Sequence, residues 1–159
     1  MEEKLSIEEQ ATNNETFRHI ERVRNLLNKC VSNLLIRGQY HDQSKLVNPE
    51  VKSFTKYTSK LAKCTYNSDE YKGYLKSMKP ALDHHYACNR HHPEHYKDGV
   101  EDMNLLDILE MFCDWKAASE RHNDGNIRKS IEINANRFGL SPQIVKIMEN
   151  TIGFIMQGE

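Results

Sequence analysis

Apolar residues recur along this chain at intervals of three and four, the period of a helix with one buried face. Residues 13–37 carry Phe17, Ile20, Val23, Leu27, Val31 and Leu34 at that spacing, and Gly38 supplies a C-terminal stop. Gln39-Tyr40-His41-Asp42 reads as a short turn. Asn48-Pro49-Glu50 reads as an N-cap followed by proline at the first helical position, which predicts a helix to about Leu61. Ser68-Asp69-Glu70 opens a third helix with Tyr71, Tyr74, Leu75 and Met78 on one side. Pro80 is expected to kink or restart it, and the new segment carries Leu82, His85 and Tyr86. Pro93 to Glu101 is a loop. Asn104 begins a helix to about Arg121 with Leu105, Ile108, Leu109, Phe112 and Ala117 in its apolar pattern. After a turn at Asn123-Asp124-Gly125, a helix over Ile127 to Phe138 is ended by Gly139. Ser141-Pro142 caps the last helix, which carries Ile144, Ile147, Met148, Ile152 and Ile155; that stripe is core or the contact of a homodimer. No strand pattern occurs. The expectation is an all-α fold, one compact domain of six or seven helices over 1–159. Residues 13–122 form its centre, 127–159 its C-terminal helices, and 1–12 fall outside the pattern, free to be flexible.

Composition narrows the class. A chain of 159 residues with 38% hydrophobic and 28% charged residues has the balance of a globular domain. The 22 basic residues against 23 acidic ones leave a net charge of -1, so strong nucleic-acid binding by phosphate neutralisation is not expected. No apolar run is long enough to span a bilayer, and the acidic start, Met1-Glu2-Glu3-Lys4, does not read as a signal peptide. Cys30, Cys64, Cys88 and Cys113 are scattered without a C-x-x-C pair, which fits reduced thiols in the cytoplasm. Cys88 and Cys113 are read as small buried side chains rather than ligands.

Histidine changes the picture. The chain has 8, and five of them (His84, His85, His91, His92 and His95) crowd one short stretch. Earlier stands His41-Asp42. Adjacent residues cannot share one face of a regular helix, but at a turn both can reach one ion, and imidazole and carboxylate together suit a divalent transition metal. On the helical rows, His85, Asn89 and His92 lie together, and His84, Cys88 and His91 form the other row. A regular helix turns one row to a site; the first is preferred, and Pro93 leaves His91 open. Asp114 sits among Phe112, Cys113 and Trp115, where an unpaired acid is costly. Asp107, Glu110 and Asp114 share one helix side, and at least one of them is expected to be merely solvated. His95 and His122 are expected at the surface.

The order His19, His41-Asp42, His84-His85, His91-His92, Asp114 resembles the HD-domain superfamily of metal-dependent phosphohydrolases over roughly residues 13–122. His41-Asp42-Gln43-Ser44-Lys45 is similar to the family's His-Asp-x-Gly-Lys form, with Ser44 in the glycine's place. The arrangement also resembles a group of small phage and bacterial proteins without an assigned function. The resemblance implies that His19, His41, Asp42 and Asp114 hold one divalent ion (Mn, Fe, Co, Ni or Zn), with His85 and His92 as ligands of a second. It implies that Arg22 and Lys45 contact a substrate phosphate and that Glu50 or Glu110 acts as the base. The substrate would be a small phosphate ester, a nucleotide first, hydrolysed in a bacterial or phage-infected cytoplasm. Two other readings remain open: a non-catalytic, metal-stabilised binding or effector protein, and an HD-fold di-iron oxygenase.

Overall fold

A computed structural model describes residues 5–61, 63–64, 68–120 and 125–155. Among them are six α-helices and no strand: α1 (Ile7–Tyr40), α2 (Glu50–Leu61), α3 (Asp69–Cys88), α4 (Leu105–Ser119), α5 (Ile127–Phe138) and α6 (Pro142–Ile155). Three 3-10 turns, Gln43–Leu46, Pro93–His95 and Gly99–Asp102, fill the connections. The all-α expectation holds. His122 and the Asn123-Asp124 part of the expected turn lie outside the described residues.

Met1–Gln39 and Tyr40–Glu159 form two compact units. The first is essentially α1, which starts earlier than the apolar spacing suggested. Ser6 and Glu9 account for the start: the Glu9 N–H donates to Ser6 Oγ at 3.2 Å, and the Ser6 N–H donates to Glu9 Oε2 at 2.7 Å, a reciprocal cap. Gly38, expected as a stop, lies inside the helix, which runs on to Tyr40. Among the described residues of that unit none is buried, and Phe17, Ile20, Val23, Leu27, Val31 and Leu35 are exposed within it.

The second unit contains the core. Met111, Phe112 and Trp115 of α4 pack with Ile127 and Ile131 of α5, Leu140, and Met148 and Ile152 of α6. Each such side chain, fully buried, stabilises by about 1.5–3 kcal/mol. Trp115 and Phe138 stack with ring centroids 6.2 Å apart. The helix ends are set by the sequence: Asn126 accepts from the Arg128 and Lys129 N–H groups, and Gly139 at φ 66 ends α5 in a conformation that suits glycine.

α2 packs against α3. α3 continues through Pro80 as one helix instead of restarting there. Met78 and Ala81, each 1% exposed, anchor it on both sides of the proline, so tertiary packing offsets the lost hydrogen bond. Asp107, at the third position of α4, is 0% exposed. It accepts from the Asn104 N–H at 2.9 Å and from both arms of Arg90 at 3.2 Å, while Asn104 caps Leu106 and Asp107 in return. The helix is thereby nailed to the chain that leaves α3. None of Asp107, Glu110 and Asp114 is simply solvated, contrary to the expectation: the side chains of the last two are only 13% and 23% exposed.

Candidate metal centre

α1 gives way to the turn at His41-Asp42, and Asp42 takes the left-handed conformation at φ 57. Aspartate tolerates this conformation better than most residues. The reversal lets two neighbouring side chains converge instead of diverging by a hundred degrees. The His41 Nε2 atom lies 3.6 Å from Asp42 Oδ2 and 3.6 Å from Asp114 Oδ1.

α3 brings in His85 from its last turn and then stops at Cys88. That ending removes the choice between helical rows. His85 approaches from the helix, while His91 and His92 approach from the turn beyond it. His85 Nε2 and His92 Nε2 lie 2.8 Å apart, and the His85 and His91 Nε2 atoms lie 3.3 and 3.5 Å from Asp42 Oδ1. The three rings and His41 form a continuous set, with His41–His91 and His91–His92 centroids 4.3 and 4.1 Å apart. His91 is 1% exposed and His85 2%.

The ligating atoms fall into two overlapping groups, Asp42-His85-His91-His92 and His41-Asp42-His91-Asp114, each within 4.8 Å. Asp42 and His91 belong to both. Asp42 Oδ1 and His91 Nε2 are buried with no hydrogen-bond partner. A buried acceptor left alone costs about 1–3 kcal/mol, and both orphaned atoms point into the same cluster. Carboxylate oxygens and imidazole nitrogens at this spacing are the donor set of a divalent transition metal, so the residues present fit such an ion.

Two glutamates hold the rings from behind. Glu50, 0% exposed, accepts from His84 Nδ1 at 2.7 Å through Oε1 and from His85 Nδ1 at 2.9 Å through Oε2. Oε2 also accepts from the Ser44 hydroxyl at 3.0 Å. Glu110 Oε1 faces His41 Nδ1 at 3.0 Å and His91 Nδ1 at 3.2 Å. Lys45 Nζ sits 2.5 Å from Asp42 Oδ2 and 5.4 Å above the Phe54 ring.

These charges set the protonation of the metal-free site. Asp114 and Glu110 push the His41 pKa up to about 10, against the opposing effect of burial. Burial, reinforced by the positive character of His91 and His85, pushes His92 down to about 3. Burial and the Lys45 ammonium also lower His85. Burial works to raise Asp42 and Asp114, but Lys45 beside the first and His41 beside the second hold both below the usual carboxylate range. His85 and His92 are therefore neutral imidazoles, the form that ligates a metal.

His41, Asp42, His85, His92 and Asp114 thus come together, with Lys45, Glu50 and Glu110 around them. His19 and Arg22 lie on α1, in the other unit. His91 was left open by the sequence yet joins both groups; the signal was its place next to Pro93, where the helix had to end. Ser44 and Asn89 were missed as supporting residues. Cys88 and Cys113 are exposed, not buried as expected, because their positions on α3 and α4 face away from the core. His95 is tied down by the Tyr86 carbonyl 2.8 Å from its Nδ1.

A family model described as a family of unknown function (DUF5662) matches residues 8–154. The chain belongs to the DUF5662 family. No curated protein and no solved structure matches it. For a DUF5662 member the chemistry therefore has to come from the site itself. Among the described residues, no helix is long and apolar enough to cross a membrane.

Proposed function

We propose that this chain is a metal-dependent phosphohydrolase acting on a small phosphate ester, a nucleotide first, with two divalent ions held by the two groups. The observation that carries the reading is the pair of four-ligand groups sharing Asp42 and His91, with an orphaned buried atom on each shared residue. Two adjacent cation sites bridged by a carboxylate suit phosphoester hydrolysis, and the resemblance to the HD-domain superfamily points the same way.

His85, His91 and His92 with Asp42 would hold one ion, and His41 and Asp114 with Asp42 the other, since the single lone pair on His91 Nε2 can serve only one of them. Bound there, the metal supplies Lewis acidity and a water of lowered pKa. The chain's own residues do the rest. Lys45, with its side chain 33% exposed, neutralises Asp42 and can extend its ammonium to an outer phosphate oxygen. A cavity of about 220 Å³ opens beside His92 and Asp114, walled by Tyr86, Trp115 and Phe138 with Asn134 and Arg137 at its polar side. Aromatic walls and an amide suit the ring of a small ester. The volume lies below the usual range for drug-sized ligands, about 300–1,000 Å³, which argues for a compact substrate over a polymer. The three-histidine group also suits iron and keeps the oxygenase reading alive; oxygen consumption with ferrous iron separates the two.

The test is elemental analysis of the purified protein together with a screen of nucleotides and other phosphoesters. One to two transition-metal ions per chain are expected, with most of the metal lost in His41→Ala and Asp42→Ala. A protein that takes up no metal after reconstitution with manganese or cobalt overturns the proposal. Metal without phosphoesterase activity transfers the reading to the oxygenase or to a metal-stabilised binding protein.

A further inference from the structure

We propose that Glu50 and Glu110 are positioning residues with unequal reach: Glu50 orients the ligand of one metal ion, and Glu110 orients ligands of both. The proposal rests on the two-ion reading and departs from the sequence expectation that one of these glutamates is the base. A general base needs a lone pair aimed at water or substrate. Glu50 is closed off from water and turned toward three protein donors. Its Oε2 accepts from Ser44 and His85, its Oε1 accepts from His84, and the whole residue is 0% exposed.

The network around it has one consistent assignment. Asn89 Nδ2 donates to Ser44 Oγ at 2.8 Å and to the His85 carbonyl at 2.7 Å, which uses both of its hydrogens. Its 3.0 Å approach to His85 Nδ1 is therefore contact and not a bond. With Asn89 donating to it, the Ser44 hydroxyl is free to turn its own hydrogen to Glu50. Of the oxygens near His85 Nδ1, Glu50 Oε2 at 2.9 Å is a carboxylate that can only accept, with Ser44 Oγ farther off at 3.3 Å, so Nδ1 is the protonated nitrogen. The proton is fixed on Nδ1, and the Nε2 lone pair is fixed on the side of Asp42 and His92. Ser44 stands where the family it resembles has glycine, and its hydroxyl ties the His41-Asp42 turn to this carboxylate.

Glu110 does the same work with a single oxygen. Its Oε1 takes the Nδ1–H groups of His41 and His91 together. His91 would ligate the ion beside His85 and His92, and His41 the ion beside Asp114. Loss of Glu50 loosens His85 alone. Loss of Glu110 loosens His91 and His41, and so touches both ions.

The experiment uses the full-length protein, stripped of metal and titrated with cobalt(II), read by its visible absorption and by calorimetry. Removing a carboxylate behind a ligating histidine weakens metal binding by about 10- to 100-fold. Glu50→Ala should weaken one of two cobalt-binding steps by that factor and leave the other within a few fold. Glu110→Ala should weaken both. Glu50→Gln and Glu110→Gln should restore most of the affinity, because an amide oxygen still accepts from the Nδ1–H, whereas loss of a mere base would have left cobalt affinity unchanged in the alanine variants. Independently of any variant, nitrogen-15 spectra of the metal-free wild type at pH 8 should show His85 as the Nδ1-protonated tautomer. A wild type that binds no cobalt overturns the two-ion reading and this proposal with it. A wild type that binds two ions while both alanine variants bind them normally, or whose His85 carries its proton on Nε2, overturns the positioning roles alone.

Discussion

Asp42 should be a residue that the fold would be better off without. It adopts φ 57, buries Oδ1 without a hydrogen-bond partner and keeps a side chain only 18% exposed. Asp42→Gly removes all three burdens. The orphaned oxygen accounts for about 1–3 kcal/mol. Left-handed backbone costs an ordinary residue roughly 1–2 kcal/mol, less for aspartate; glycine carries no such strain, but its freer unfolded chain takes back about 0.5–1 kcal/mol. Against this stands the ion pair with Lys45, whose side chain is 33% exposed, which is worth up to about 1 kcal/mol at such exposure. The attraction to His41, 3.6 Å away and also part-exposed, offsets a further part. Metal-free Asp42→Gly should therefore equal or exceed metal-free wild type in stability, by about 0–2 kcal/mol. Metal reverses the order. At a hundredfold excess over Kd, a single bound ion stabilises the wild type by about 2.7 kcal/mol, a rise in Tm on the order of 10 °C for a domain of this size. The variant, lacking the oxygen shared by both groups, should gain little. Thermal melts with chelator and with cobalt or manganese give both numbers. A variant that is clearly less stable than wild type in chelator, yet rises by the same amount with metal, refutes the assignment of Asp42 as the shared ligand.

Other outcomes follow from the same geometry. Lys45→Ala should keep its metal but lose about ten- to a hundredfold in phosphoester turnover, since one charge-assisted contact is worth about 1.5–3 kcal/mol; metal analysis paired with kinetics reads this. Asp107→Ala should destabilise by about 1–3 kcal/mol in urea melts with the metal content per folded chain unchanged, because it breaks the α4 cap and strands Arg90 without touching a ligand. His19→Ala should keep the ion held by His85, His91 and His92; loss of all metal would mean that α1 contributes to that group. With its pKa raised to about 10, His41 is protonated in the metal-free protein at pH 7.5 and must shed that proton to ligate. Metal uptake should therefore release a proton, seen as a buffer-dependent enthalpy, and affinity should fall as pH drops. An enthalpy independent of the buffer counts against His41 as a ligand.

The helices were legible because their punctuation is local. Asn104 and Gly139 each act within four residues, and each fell where the pattern put it. Two stops failed for opposite reasons. Pro80 was outvoted by the burial of Met78 and Ala81, a tertiary effect that no local rule contains. Gly38 permits an ending but does not force one, and α1 continued to the residue before His41.

The site was half legible for a similar reason. His41-Asp42 and the histidine cluster announce themselves by residue type, and type is what selects ligands. Which atoms ligate depends on what stands behind the rings. Glu50 lies 34 residues before His84, and Glu110 lies 69 after His41, separations that carry no pattern in the chain. Read alone, an acid near a metal motif looks like a base. Buried behind imidazole Nδ1 atoms, the same acid becomes an orienting group, and hydrolytic chemistry would then draw its nucleophile from metal-bound water instead of a side-chain carboxylate. Four carboxylates, Asp42, Glu50, Glu110 and Asp114, converge with four imidazoles around two atoms that have no partner. A bound cation would return part of the desolvation cost of that many acids, beyond what Lys45 and the imidazoles already offset. The Asn89-Ser44-Glu50 chain and the left-handed turn at Asp42 are the devices that turn the His85 and Asp42 side chains toward one point.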